Sequence, residues 1–202
     1  ASGQASISTT DIDNGSTDNC STVSLALNIN NFGCSDVGAN TVKLYVTDAY
    51  NNVDSATTTV TVIDSIKPTI ITKNATVYLD ASGQASISTT DIDNGSTDNC
   101  STVSLALNIN NFGCNEVGAN AVKLYVTDAN NNVDSATASV TVVDSIKPII
   151  NGCPANITLT ADAGNCNAVV SWVIPIAADN CVVDSLVASH NPGAVFPLGT
   201  TT

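Results

Sequence analysis

The stretch ASGQASISTTDIDNGSTDNCSTVSLALNINNFGC, residues 1–34, recurs letter for letter as residues 81–114. A period of about 80 residues is one small domain. It is too long for a helical or leucine-rich solenoid unit and suits a bead of roughly seven short strands. After Pro148 the copy degenerates without vanishing: Asp179-Asn-Cys181 echoes Asp98-Asn-Cys100, and Leu198-Gly199 echoes Val117-Gly118. The expected organisation is a partial repeat over 1–65 that lacks its N-terminal strand, a complete repeat over 66–146, and a partial, divergent one over 147–202 that lacks its C-terminal strands.

Working outward from the duplicated stretch, residues 121–127 alternate Val122, Leu124 and Val126 with Lys123, Tyr125 and Thr127, the period-two pattern of a half-buried strand. Residues 136–143 repeat the pattern with Ala138, Val140 and Val142, and the Asp128-Ala-Asn-Asn-Asn132 run between them supplies turn chemistry, so the two form a hairpin. Weaker strands are expected at 69–72, 75–79, 85–89 and 103–108, and no stretch reads as a helix. The repeats are joined by Asp64-Ser-Ile-Lys-Pro68 and Asp144-Ser-Ile-Lys-Pro148, short links with a proline and no Gly/Ser spacer. These features predict an all-β chain of tandem antiparallel sandwich domains stacked end to end as an extended rod.

The charge inventory narrows the function classes. The chain has five lysines, no arginine and eighteen acids, of which only Glu116 is not aspartate, for a formal net charge of −13. That balance repels phosphate and offers no basic stripe, so nucleic acid is not an expected partner. Aspartate favours turns and caps, in keeping with a loop-rich β protein. No apolar run is long enough to insert in a membrane. Seven cysteines, two in each copy and three beyond Pro148, read as disulfides made in an oxidising, extracellular place. Pairing within each bead is expected: Cys20 with Cys34, Cys100 with Cys114, and Cys166 with Cys181, which leaves Cys153 over. A loop of roughly fifteen residues closed in this way contributes about 3 kcal/mol in the chain-entropy model.

Two groups of side chains carry candidate chemistry. Asp91, Asp93 and Asp98, with their twins Asp11, Asp13 and Asp18, crowd one loop with hard oxygen atoms, and Asp128 in the hairpin turn and Asp144 in the link are placed to complete a calcium site. The spacing departs from an EF-hand, since Gly95 comes one place early and no glutamate closes the loop; a solvated turn rich in Asx caps is the alternative. Trp172 lies in a strand-like run and reads as a core plug. His190 is the single histidine, in a Ser-His-Asn-Pro turn. With one histidine, one glutamate and no nucleophile motif, the chain is not expected to be an enzyme, and no cofactor other than calcium is expected.

Residues 153–162, 164–172, 178–181, 189–193 and 196–202, from Cys153-Pro-Ala-Asn to Phe196-Pro-Leu-Gly-Thr-Thr-Thr202, resemble the hyalin repeat (HYR) in five ordered blocks. That resemblance implies an immunoglobulin-like sandwich from an extracellular protein associated with adhesion. The twin repeats, through residues 79–87, 91–100, 117–120, 125–129 and 144–148, are similar to the repeats of very long flavobacterial surface proteins, including gliding adhesins exported by the type IX pathway, and their Val-Thr-Asp turn resembles polycystic-kidney-disease-type beads. The twins place their second cysteine at Cys34 and Cys114, away from the hyalin pattern. The Asp-Ser-aliphatic steps at Ser55, Ser65, Ser135, Ser145 and Ser185 resemble a Bacteroidetes O-glycosylation sequon, with plain turn chemistry as the alternative. Together the resemblances imply a stalk of a cell-surface adhesin whose partners are neighbouring repeats and a surface polysaccharide or protein ligand. A carbohydrate- or protein-binding accessory module of a secreted protein is the second expectation.

Overall fold

The computed structural model describes residues 3–161 and 163–201; Asp162 and Thr202, which close the first and last hyalin-like blocks, lie outside them. The first repeat carries β1 (Ala5–Ser6), α1 (Thr9–Ile12), β2 (Ser24–Leu27), β3 (Asn31–Phe32), β4 (Gly38–Thr47) and β5 (Val53–Val62). The second repeats this order with one strand added in front: β6 (Ala75–Tyr78), β7 (Gln84–Ser86), α2 (Thr89–Ile92), β8 (Ser104–Leu107), β9 (Asn111–Gly113), β10 (Gly118–Thr127) and β11 (Val133–Val143). The third region holds β12 (Ile149–Asn151), β13 (Asn167–Val170), β14 (Ile176–Ala178) and β15 (Ala194–Pro197). The fold is all-β and immunoglobulin-like.

The second repeat shows the sandwich arrangement most fully, with one sheet ordered β6-β11-β10-β8 and a second pairing β7 with β9. Strand β6 runs parallel to β11, Ala75 opposite Val140 and Tyr78 opposite Val143, while β8 and β10 are antiparallel, Leu107 opposite Leu124. The expected hairpin forms, and in the first repeat its register runs from Gly38 opposite Val62 to Thr47 opposite Val53. Its turn is held by Asp128 and Asp48, and Asn131 and Asn51 take the left-handed conformation (φ 66°) that asparagine tolerates better than other side chains with a Cβ. The alternation read from β10 and β11 is the core: Val122, Leu124, Val126, Ala138, Val140 and Val142 are buried.

One-turn helices form where none was expected. Ser8 and Ser88 each open one, their backbone N–H and hydroxyl donating to Asp11 Oδ2 and Asp91 Oδ2 at 2.7 Å, a capping box too short to register as helical periodicity. The segment expected as a strand at 69–72 makes only isolated bridges, Thr69 to Thr97 and Thr72 to Asp93.

The chain clusters into two compact units that cut across the sequence repeats. One unit holds Ala1–Asn74, Ser88–Ile109 and Val122–Ala138, and the other Ala75–Ile87, Asn110–Ala121 and Ser139–Thr202. The first repeat thus shares a unit with the Asp-Asn-Cys loop and hairpin turn of the second.

Candidate functional site

The disulfides explain that grouping and correct the expected pairing. Cys34 is bonded to Cys100 and Cys114 to Cys181, across 66 and 67 residues, so each bond joins one repeat to the next. Cys20, Cys153 and Cys166 are free and exposed, so neither a Cys20–Cys34, a Cys100–Cys114 nor a Cys166–Cys181 bond exists. The reason lies in what packs beside the second cysteine of a repeat. A loop closed over about 66 residues constrains the unfolded chain by about 4 kcal/mol, more than the expected local loops.

Glycine makes room for both bonds. A Cβ on Gly3 would lie 2.6 Å from Cys34 Sγ, and one on Gly83 would lie 2.7 Å from both Cys114 Sγ and the Asn180 carbonyl oxygen. Both glycines also have positive φ, 62° and 74°, so substitution meets strain as well as collision. Beside each bond the Asp-Asn-Cys loop buries an amide oxygen, of Asn99 or Asn180, without a hydrogen-bond partner.

Three carboxylates meet in the unit that contains the first of these bonds. One oxygen each of Asp64, Asp98 and Asp128 lies within 4.8 Å of the others. Asp64 comes from the link after the first repeat; Asp98 and Asp128 come from the Asp-Asn-Cys loop and hairpin turn of the second. Asp64 is 8% exposed and Asp128 5%. Asp64 Oδ1 accepts the Ile66 N–H (3.1 Å) and Oδ2 the Asn130 side-chain amide (3.3 Å), while Asn132 Nδ2 bridges the Asp64 carbonyl (3.1 Å) and Asp128 Oδ2 (2.7 Å). Asp128 Oδ1 also takes the backbone N–H groups of Asn130 and Asn132. Burial pushes the Asp128 carboxyl up, but the Asn132 side-chain and backbone donors, with the Asn130 N–H, outweigh it and hold the group below the ordinary aspartate range. Asp98 Oδ2 serves its own loop, accepting from Cys100 N–H (2.9 Å) and Ser101 N–H (3.1 Å).

Of the eight aspartates expected to ligate calcium, the structure brings together Asp98 and Asp128 and adds Asp64. Asp91 and Asp11 are spent as helix caps, and Asp93 and Asp13 bind the Ser96 and Ser16 turns. Asp144, given the role that Asp64 fills, instead accepts the Ile146 N–H in its own link. Asp18 repeats the Asp98 hydrogen bonds to Cys20 and Ser21 and acts electrostatically on Asp48, the twin of Asp128. The signal for Asp64 was present, since Asp64 and Asp144 are one period apart. Asp64 is held by Asn130 and Asn132 of the repeat that its link precedes, so the link belongs structurally with that repeat rather than with the one it follows.

The remaining candidates are dispersed. Ser55, Ser65, Ser145 and Ser185 are exposed and Ser135 is half-buried. Trp172 is also half-buried rather than a sealed plug: it lies 6.2 Å from the Phe196 ring and helps line a cavity of about 560 Å³. His190 is exposed, its ring 4.9 Å from that of Phe196 and tilted by 45° to it.

Residues 143–202 match the HYR domain. Over 170 residues the chain is 27% identical to hyalin of Strongylocentrotus purpuratus, and over 174 residues 29% identical to hyalin of Lytechinus variegatus. Each alignment covers 81% of this chain, which spans only 14% and 32% of the length of those two hyalins. The solved structure of human mucin-like protocadherin EC1-2 aligns with 61% of the chain and 85% of its own at 13% identity, with a TM-score of 0.33, too low to carry an argument. The chain is thus similar to hyalin over most of its length and carries a HYR match in its last third.

Proposed function

We propose that this chain is a stalk segment of a bacterial cell-surface adhesin, a non-catalytic repeat module that serves attachment or gliding. The observation that carries the reading is the covalent linkage of successive repeats, the first two of them nearly identical. Copying a bead lengthens a filament and multiplies weak contacts, and a disulfide from each bead to the next resists extension. The HYR match and the similarity to hyalin support an extracellular, adhesion-type module. Two disulfides support an oxidising location. The bacterial assignment, type IX export and glycosylation at the exposed Asp-Ser steps rest on the sequence resemblances of the twin repeats.

A second reading, a ligand-binding accessory module, is favoured by the cavity that Trp172, His190 and Phe196 line, since aromatic faces in an open cleft suit a sugar ring. One experiment separates the two: antibodies against the chain are applied to intact cells of the source organism while the purified chain is run on a glycan and matrix-protein array. The stalk reading expects surface labelling and no selective binder. A selective ligand lost on Trp172→Ala replaces it with the second reading.

A further inference from the structure

The three carboxylates from two repeats form an arrangement that hydrogen bonding within the protein leaves incomplete. We propose that Asp64, Asp98 and Asp128 form a calcium site at the junction between the first and second repeats. The inference stands apart from the stalk reading, because the site follows from the junction whatever the parent protein does.

Two observations carry it. Asp64 and Asp128 are each more than nine-tenths buried and lie with Asp98 inside a 4.8 Å span, a convergence of like charges that a fold does not assemble without compensation. The compensation is not a lysine: the side-chain donors to Asp64 and Asp128 are neutral asparagine amides, and among the described residues no ion pair reaches any of the three. Independently, Asp98 Oδ1 exposes under 1 Å² and meets no hydrogen-bond donor, although its partner Oδ2 is fully engaged. A carboxylate oxygen that is shut away from water and unpartnered calls for a cationic partner. The donor atoms are all hard oxygens. Six to eight of them at flexible spacing suit calcium better than magnesium, which demands near-ideal octahedral geometry, and main-chain carbonyls and waters would complete the shell.

The site makes chemical sense of the order of the chain. The link supplies Asp64 just before the second repeat, and that repeat supplies Asp98 two residues before the disulfide Cys100. One ion would thus hold the link to the same loop that the Cys34–Cys100 bond holds to the first repeat. Asn130 and Asn132 act as positioning residues: their amides donate to the Asp64 and Asp128 carboxylates, and Asn132 also ties the Asp64 carbonyl to the same turn.

The test is calorimetric titration of the chelator-stripped, disulfide-intact 202-residue chain with calcium chloride, paired with thermal melts in calcium and in chelator. The expected result is saturable binding with a Kd of about 0.1–1 mM, the range of extracellular calcium modules, and a higher melting temperature in calcium. Asp98→Asn, which keeps an acceptor for the Cys100 and Ser101 N–H groups, weakens binding at least tenfold, and Asp91→Asn leaves it unchanged. The melts guard against misfolding. In chelator Asp98→Asn unfolds at or above the temperature of the parent chain, because a repulsive charge is gone, and in calcium it unfolds below it. The proposal is overturned if 10 mM calcium produces neither heat nor a melting shift, or if Asp98→Asn and Asp64→Asn both bind as the parent does.

Discussion

Residues 3–34 and 83–114 are one sequence in two surroundings. What stays the same between them is short-range: both copies build the Ser-to-Asp helix cap, the Asp-to-Ser turn and the aspartate that accepts from the Cys and Ser N–H groups, with matching distances except for the Ser N–H, at 2.8 Å from Ser21 and 3.1 Å from Ser101. What differs is long-range. Ile12 is half-buried where Ile92 is fully buried, and Cys20 is an exposed thiol where Cys100 is bonded to Cys34. Asp48 is half-buried where Asp128 is enclosed with Asp64. Hydrogen bonds across three residues belong to the repeat; burial and cross-links belong to the junction. In these 202 residues only the second copy follows a link segment, residues 66–74, whose backbone pairs with it at Thr69, Ile71 and Lys73.

The largest test of that distinction removes the cross-link. Cys100→Ser should destabilise the chain by up to about 4 kcal/mol in denaturant unfolding, and Cys20→Ser, the same change in the other copy, should do nothing measurable. Peptide mapping without reduction should return Cys34–Cys100 and Cys114–Cys181. Recovery of a Cys20–Cys34 peptide would break the comparison, because the two copies would then be equivalent.

Next in size is a pair of core truncations. Ile92→Ala empties a fully buried site beside the link segment, whose Lys73 N–H donates to the Ile92 carbonyl at 2.8 Å, and should cost about 2–4 kcal/mol. Ile12→Ala, with the same local sequence and no such cover, should cost less than about 1 kcal/mol. Equal losses in equilibrium unfolding would mean that the burial of Ile92 does not depend on its neighbour.

How much of this the sequence could show follows the same division. The alternation of Val122, Leu124 and Val126 against Lys123 and Tyr125 exposed the core because strand burial has a period that a single element carries. Asp128 could be read as a turn residue for a similar reason, its backbone hydrogen-bond partners lying within four residues. The disulfides could not be read this way. Within a repeat Cys100 and Cys114 are fourteen positions apart and Cys34 is remote, so nearness along the chain favoured the wrong partner. Asp64 was hidden by the same habit. Its carboxylate lies 66 positions from the Asn130 amide that holds it, and only a decision about which repeat the link docks on would have placed it.

The smallest effect is expected where the copies are alike, and it tests the other half of the comparison. Asp11 and Asp91 are both held below the ordinary aspartate range, first by the backbone N–H of Ser8 or Ser88 and then by its hydroxyl. A carboxyl with a lowered folded value adds stability that is fully present above its unfolded value, about pH 4, and is lost as pH falls through the folded value. Asp11→Asn and Asp91→Asn should therefore each lower the melting temperature slightly at pH 7, by less than any change above, and should each flatten its fall as the pH drops below about 4. Because the cap closes within three residues, the two variants should match, although Ile12 and Ile92 beside them do not. A clearly larger loss for Asp91→Asn would show that the junction reaches even the local caps. The nearby Lys73, which also favours the charged form of Asp91 and has no counterpart before Asp11 in these residues, would then be the first group to examine.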